Sequence, residues 1–371
     1  MKMRLMKRCL RAARINRLLL PLACALADDK PLAMDRDACL RVLEKAHPDT
    51  GKSALWAEPL PCRESDRYAL DIIVPAYNAE ATLEDCMRSI LDQDCPWRFH
   101  VILVDDGSTD GTAAIADGYA DHPRVTVLHQ PNGGAASARN NGIRHSSALR
   151  MMFLDADDRL APGALNSLLK AGMGDNDADI AEGGYFNFKK GYRRAHPHKA
   201  GTMQPMEAYG MPWGKVMRRS LFEKTGFPEG YGFEDSVLHQ LILPGAKTCV
   251  GVADTVVERR LVESSAGHSS RGNARSIDTV WVTLRLMQDR QALGLAENQA
   301  HYEYLLDMAA LSQYRLEGLD ETIRQAAFGV FADLIAAQCA GFSTRRKDKR
   351  PLEAVLKKRQ YAKFKQYCEW A

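Results

Sequence analysis

No apolar run in this sequence approaches the ~20 residues that a bilayer-spanning helix needs; the longest, Leu18 to Ala27, covers about ten. Its nine cysteines contain no C-x-x-C and are odd in number. That pattern points away from a disulfide framework or a zinc site and toward buried thiols in a reducing compartment. No G-x-G-x-x-G follows a predicted strand, which argues against a NAD-dependent oxidoreductase. There is no internal repeat and no low-complexity tract. Charge is nearly balanced, with a formal net charge of +3, so overall charge names no partner and no nucleic-acid partner is expected.

What is present fits a soluble globular protein: 371 residues, 46% hydrophobic and 26% charged. That length suits one large α/β domain with appendages, or two ordinary domains. The compositional extreme is the start. Residues 1–20 carry seven Lys or Arg and no acid. As a helix, Arg4, Lys7, Arg8, Arg11 and Arg14 fall on one side, and Met3, Met6, Leu10 and Ala13 on the other. A basic amphipathic helix of this kind suits an anionic membrane surface, so a peripheral cytoplasmic location is expected. The competing reading is a secretory signal, with Ala25-Leu26-Ala27 as its cleavage site.

Residues 28–67 are polar and proline-punctuated, with one short helix expected near Asp37 to Ala46. From Tyr68 onward, short apolar runs alternate with helical patterns: "LDIIVP" and "TLEDCMRSILDQ", "FHVILVDD" and "GTAAIADGYAD", "RVTVLHQ" and "AASARNNGIRHS", "LRMMFLDADD" and "PGALNSLLKAG". Strand and helix in strict turn imply βαβ units and a mostly parallel central sheet. Thr82 with Asp85 reads as a capping box, and Pro162 as a first-turn proline. The basic text "KKGYRRAHPHK" reads as a solvated loop, His196 and His198 included. From about Ser276 to the end the pattern is helical, and its last part is strongly basic. The division expected is 1–67 for the basic helix and connector, 68–275 for the α/β domain and 276–371 for a helical region.

In an open parallel sheet, ligands collect at the carboxyl ends of the strands. The stretches that follow the four strands are "PAYN" (75–78), "DDGS" (105–108), "QPNGG" (130–134) and "DADD" (155–158). Clustered carboxylates repel one another unless they share a cation. The set therefore suits a nucleoside diphosphate held through a divalent ion. Tyr77 could stack on a base, Asp106 could accept from base or ribose donors, and Asp155 and Asp157 could take the ribose and the metal. Asp106 to Asp117 partly matches a calcium loop, but an EF-hand needs an entering helix where "VILV" reads as a strand.

"DIIVPAYNAEATLEDCMRSIL", "VILVDDGSTDGT", "NGGAASARNNGI", "FLDADD" and "PWGKVMRRSLFEKTGFPEGYGFEDS", in this order, resemble the GT-A domain of glycosyltransferase family 2, over roughly residues 68–270. The resemblance implies that Pro75, Tyr77, Asp106 and Arg139 hold the uridine part of a donor, with Asp105 beside them. Asp155 and Asp157 fall on the metal-binding D-x-D signature for Mn2+ or Mg2+, with Asp157 the direct ligand. Asp235 falls on the catalytic base, and Glu234 would position it or the acceptor. Trp213 and Lys215 match a W-x-K near the sugar pocket. The text "VVERRLVESSAGHSS" departs from the tyrosine- and arginine-rich segment that many relatives carry there. Arg259 and Arg260 could still pair with diphosphate, and His268 could bind the metal or lie at the sugar and acceptor side.

The function implied is metal-dependent transfer, with inversion, from a UDP-sugar to a saccharide or lipid-linked acceptor in cell-surface glycan synthesis. Processive synthesis is not expected without spanning helices. The alternatives are a non-catalytic nucleotide-sugar-binding protein and a sugar-1-phosphate nucleotidyltransferase. The latter expects a Gly-rich, Arg-containing loop after the first strand, where "PAYN" stands. If the basic segment holds the protein at a membrane, deleting residues 2–20 should release it from anionic vesicles in a sedimentation assay, and unchanged binding would refute that role.

Overall fold

The computed structural model describes residues 27–61, 67–174, 177–261, 272–338 and 340–370. The basic segment expected over residues 1–20, the signal-like stretch as far as Leu26, and His268 all lie outside them. Among the described residues, no helix is long and apolar enough to cross a membrane.

The chain divides into two compact units. The larger comprises the described residues between 51 and 261 together with 285–295, and is built on one sheet. Its elements run β1 (Leu70–Ala76), α2 (Leu83–Leu91), β2 (Phe99–Asp105), α3 (Thr112–Asp117), β3 (Val125–His129), α4 (Ala135–His145), β4 (Arg150–Phe153), β5 (Arg159–Leu160), α5 (Ala164–Met173), β6 (Ile180–Lys189), β7 (Tyr192–His196), β8 (Gly201–Met203), β9 (Lys215–Arg218) and β10 (Cys249–Arg260). The smaller unit is helical, with α1 (Arg36–Ala46) ahead of the sheet in sequence. After it come α6 (Asp278–Ala292), whose first half belongs to this unit, α7 (Gln299–Arg315), α8 (Glu321–Gln338), α9 (Arg350–Lys357) and α10 (Tyr361–Trp370). Helices α1 and α8 pack closely at Gly329, where a Cβ would stand 2.5 Å from the Cys39 sulfur.

The sheet order is β3-β2-β1-β4-β9-β6-β10-β5. β3, β2, β1 and β4 pair in parallel, β9 runs antiparallel between β4 and β6, and β10 returns parallel to β6. Apart from β9 and the two-residue β5, the strands along that path therefore share one direction, as expected from continuous runs such as "IIV" and "VILV", which are buried on both faces. Strands β7 and β8 add antiparallel edges. The "KKGYRRAHPHK" text is thus no simple solvated loop: Gly191, at φ +73°, turns β6 into β7, and His196 lies flat against Tyr185 at 4.4 Å.

Two local expectations change. Thr82 makes no side-chain cap; its hydroxyl lies 3.4 Å from the Ala79 carbonyl, and Asp85 pairs instead with Arg260 at 3.3 Å. Pro162 precedes rather than opens its helix, because Gly163 in the left-handed region makes the turn and α5 begins at Ala164.

Two buried polar centres tie the sheet together. Asp71 on β1 accepts from the Ser146 hydroxyl at 2.8 Å and from the Ser147 and Ala148 amides at 2.7 and 2.8 Å, which anchors the link from α4 to β4. Burial works against its charge, but His100 and these donors outweigh burial and hold the carboxyl below its usual range. On β6, Glu182 is wholly buried and meets Lys215 of β9 at 2.7 Å, His198 at 3.1 Å and the Tyr209 amide at 3.0 Å. Removing one member of a buried pair strands the other charge, at a cost of about 3–5 kcal/mol. Lys215→Met should lower the urea midpoint accordingly, and adding Glu182→Gln should recover part of the loss; a Lys215→Met protein as stable as the parent would refute this role.

Candidate functional site

The four parallel strands set the site. Ala76 of β1, Asp105 of β2 and His129 of β3 stand in register, and the Leu154 amide continues β4 by donating to the Ile73 carbonyl at 3.1 Å. The segments that follow these strands therefore share one sheet edge. That edge carries the stretches 75–78, 105–108, 130–134 and 154–158.

The first two segments are stitched to each other. The Asn78 amide donates to Ser108 Oγ at 3.1 Å, the Thr109 amide to Asn78 Oδ1 at 2.8 Å, and the Gly111 amide to Glu80 Oε2 at 2.8 Å. Asn78 holds a left-handed φ of +48° within this clamp. Beside it Tyr77 presents a half-exposed ring, and Pro75 is partly buried. Asp105 is buried and binds the Ser108 amide at 3.2 Å and His129 Nδ1 at 3.0 Å. Burial alone would raise its carboxyl; these bonds outweigh it and hold the group below its usual range, and they raise His129 in turn.

Asp106 does something that its place after a strand did not reveal. Oδ1 accepts from Gln130 Nε2 at 2.7 Å and the Gly133 amide at 2.9 Å, while Oδ2 accepts from the Gly134 amide at 2.8 Å. The carboxylate thus shapes the glycine turn that leads into α4. Gly134, at φ +84°, needs that freedom. Farther along α4, Gly142 lets the helix lie directly on β1: a Cβ there would come within 2.4 Å of Ile73.

Helix α4 carries the central cation. Arg139 is buried, and its guanidinium donates to Asp155 Oδ1 at 2.8 Å and to Glu234 Oε1 at 2.7 Å while lying 5.3 Å from the Phe227 ring. Burial opposes its charge, but the two carboxylates raise the group above its ordinary value. The next residue, Asn140, is missed by motif reading. Its side chain accepts from the Phe227 amide at 2.8 Å and donates to the Phe227 carbonyl at 2.9 Å. It thereby fastens the segment that leads to Glu234 and Asp235, and its only sequence signal is its place beside Arg139 in "SARNN".

Glu234 and Asp235 open a single 3-10 turn, Glu234–Ser236, preceded by Phe233 at φ +63°. A left-handed aromatic residue is strained by about 1–3 kcal/mol, and such strain clusters at functional sites. Both acids are partly buried.

Asp155, Asp157 and Asp158 offer carboxylate oxygens that all lie within 4.8 Å of one another. Asp155 is engaged by Arg139, and Asp158 Oδ1 accepts from the Arg260 amide at 2.7 Å. Among the described residues no ion pair holds Asp157. Burial, then Asp155, pushes Asp157 up; burial, then Asp155 and Asp157, pushes Asp158 up to about 8. Such a set of crowded hard oxygens suits a divalent cation. Arg260 is turned to this cluster: its Nε donates to the Asp157 carbonyl at 3.1 Å.

Two other expected residues lie in the interior. Trp213 is buried edge-on to Tyr185 at 4.9 Å, bridging to Phe153 of β4. Lys215 is wholly buried, with Glu182 and the Met211 carbonyl at 2.6 Å as partners, so its ammonium faces the core.

The fold and this edge define a GT-A type α/β domain. Residues 71–233 match the model of glycosyl transferase family 2. Its curated relatives include Glycosyltransferase GlyA of Streptococcus pneumoniae serotype 4 (strain ATCC BAA-334 / TIGR4), 25% identical over 70% of this chain and 40% of the relative. GlyG of the same organism is 29% identical over 48% of this chain and 66% of the relative. The chain thus spans less than two thirds of either. Among solved structures, S. aureus TarS 1-349 in complex with UDP-GlcNAc superposes with a TM-score of 0.63 at 19% identity, covering 80% of this chain and 89% of that one.

The fork on Arg139 gives a direct test. Lysine keeps the charge but cannot present two planar donor edges to two carboxylates. Arg139→Lys should cost about 1.5–3 kcal/mol, the range for a hydrogen bond to a charged group, read from urea unfolding. An unchanged midpoint would refute the central place given to this guanidinium.

Proposed function

We propose that the chain transfers a sugar from a nucleoside-diphosphate donor, a UDP-sugar, to a hydroxyl of a saccharide or lipid-linked acceptor, with inversion at the anomeric carbon. The observation that carries the reading is the meeting of the Asp155-Asp157-Asp158 turn and the Glu234-Asp235 turn through one buried guanidinium at the carboxyl edge of the parallel strands.

In this reading Tyr77 stacks on the base beside Pro75, and Asp105 and Asp106 build the nucleotide's floor through the 105–108 and 130–134 turns. Asp155 faces the ribose, with Arg139 fixing its orientation. Asp157 and Asp155 would hold a Mn2+ or Mg2+ ion, to which their crowded carboxylate oxygens are suited. Bound there, the ion would supply the positive charge that stabilises the departing diphosphate. Asp235 takes the proton of the acceptor hydroxyl as its oxygen attacks the anomeric carbon and the bond to the diphosphate breaks. Glu234, fixed by Arg139, orients Asp235. The UDP-GlcNAc bound by TarS, a structure of the same fold, supports the choice of donor class.

Thermal unfolding with UDP, GDP, CMP and ADP, each with and without Mn2+, tests the donor site. A ligand at 100 times its dissociation constant adds about 2.7 kcal/mol, a shift of a few degrees in a domain of this size. Stabilisation by UDP should require Mn2+ and vanish in Asp157→Ala. Asp235→Asn should keep that shift while lowering UDP release from UDP-sugars by about 10²–10⁴-fold. UDP binding in the parent without any turnover over a panel of UDP-sugars and acceptors would leave a nucleotide-sugar-binding protein; no metal-dependent shift with any nucleotide would refute the donor site.

A further inference from the structure

Next to the acid turn lies an open groove of about 470 Å³ that none of the donor chemistry uses. Its floor follows from strand register. Arg159 of β5 faces Glu258 of β10, which faces Phe186 of β6; one rung along, Arg260 of β10 faces Phe188, which faces Arg193 of β7. Cross-strand neighbours share a face of the sheet, so guanidinium groups and aromatic rings alternate across it. Arg159 and Arg260 lie 4.7 and 4.9 Å from the Phe188 ring centre, and Arg193 lies 3.7 Å from that of Phe186.

The charges in the groove are unevenly answered. Arg159 pairs with Glu258 at 2.5 Å, and Arg260 with Asp85. Among the described residues no carboxylate pairs with Arg193 or with Lys189 at the hairpin tip, and both are exposed. A guanidinium lying over a ring face keeps N–H groups for an acceptor at its edge, and that fork matches a carboxylate or phosphate. Tyr192 beside it is 41% exposed, a ring against which a sugar face can pack. The groove lies beside the acid turn: Arg159 in its lining follows Asp158 in sequence, and Arg260, whose guanidinium lies over the Phe188 ring that lines it, binds both Asp157 and Asp158 through the contacts given above.

We propose that this groove holds the acceptor and that the acceptor is an anionic glycan, its carboxylate or phosphate on Arg193 and Lys189 and a sugar ring on Tyr192. The proposal rests on the transfer reading above and specifies its acceptor by charge. An anion in this position is drawn by two uncompensated cations, whereas a neutral glycan gains only the packing on Tyr192.

The test titrates the full chain with a neutral oligosaccharide, a uronate-bearing one and a phosphate-bearing one, at low and at 0.5 M salt. One anionic probe should bind at least tenfold more tightly than the neutral one and weaken with salt; whichever it is identifies the anion. Arg193→Glu should reduce that affinity at least tenfold and Tyr192→Ala several-fold, with thermal unfolding of both variants close to the parent. Equal affinity for neutral and anionic probes, undiminished binding in Arg193→Glu, or no binding of any probe overturns the proposal. Metal-dependent UDP binding, measured in parallel, separates the two readings. If it persists while anionic glycans fail to bind, the groove assignment alone falls; if it is absent in the parent, the transfer reading falls, and the acceptor role with it.

Discussion

The buried guanidinium of Arg139 is the constraint on which the rest of the site depends. It stands between Asp155 and Glu234, two carboxylates about equally far from its ends, and the planar fork satisfies both at once. A buried cation must have such partners, because desolvation would otherwise cost several kcal/mol. The two acids belong to turns that are distant in sequence, so the pairing fixes the D-x-D turn against the Glu-Asp turn. Helix α4 sets the cation's position in turn. Its start is held by Asp106 through Gly133 and Gly134, its middle lies against Ile73 at Gly142, and Asn140 fastens Phe227. One helix thereby organises three loops.

Charge balance explains why the acid turn can remain open to a ligand. Asp155 is neutralised by Arg139, and Asp158 accepts a backbone amide, leaving Asp157 with burial and a neighbouring carboxylate working against its ionisation. A divalent ion would relieve that repulsion more effectively than a lysine, whose single charge and flexible stem are met by fewer oxygens. The same accounting applies to Phe233. Its strained backbone turns the chain sharply enough to present Glu234 toward Arg139, which a relaxed extended residue would not do.

Much of this is legible in the sequence, and the boundary is physical. Strand ends are readable because an apolar run followed by "PAYN", "DDGS" or "DADD" marks both the burial and the exit from the sheet. The α4 glycines are readable only as flexibility; that one of them touches Ile73 depends on where β1 lies. Asp106 reads as a ligand because an acid after a strand usually faces solvent, yet two amides 27 and 28 residues onward fold back to it. Lys215 is the clearest limit. The W-x-K spacing is silent on which face of a strand the lysine takes, and its partner Glu182 lies 33 positions upstream on another strand. His198 was hidden for the same reason, since the loop that reads as solvated in the sequence is drawn in by that carboxylate.

The Glu182–Lys215 pair also accounts for how the second half of the sheet keeps its register. An apolar pair of equal volume would be about as stable, but apolar side chains alone tolerate a slip by one residue, which would turn every side chain to the other face. Lys215 does not tolerate it. Its ammonium needs Glu182 and the Met211 carbonyl together, and Glu182 needs the Tyr209 amide and His198 as well. Tyr209 and Met211 lie on the segment entering β9 and His198 follows β7, so a slip of β6 against β9 would break several of these contacts at once. Farther along β6 the alternation of guanidinium and aromatic side chains rests on its pairing with β10 and β7, and the ladder to β10 shifts register between Gly251 and Val257, so the charged pair and the groove are held by separate stretches of the same strand.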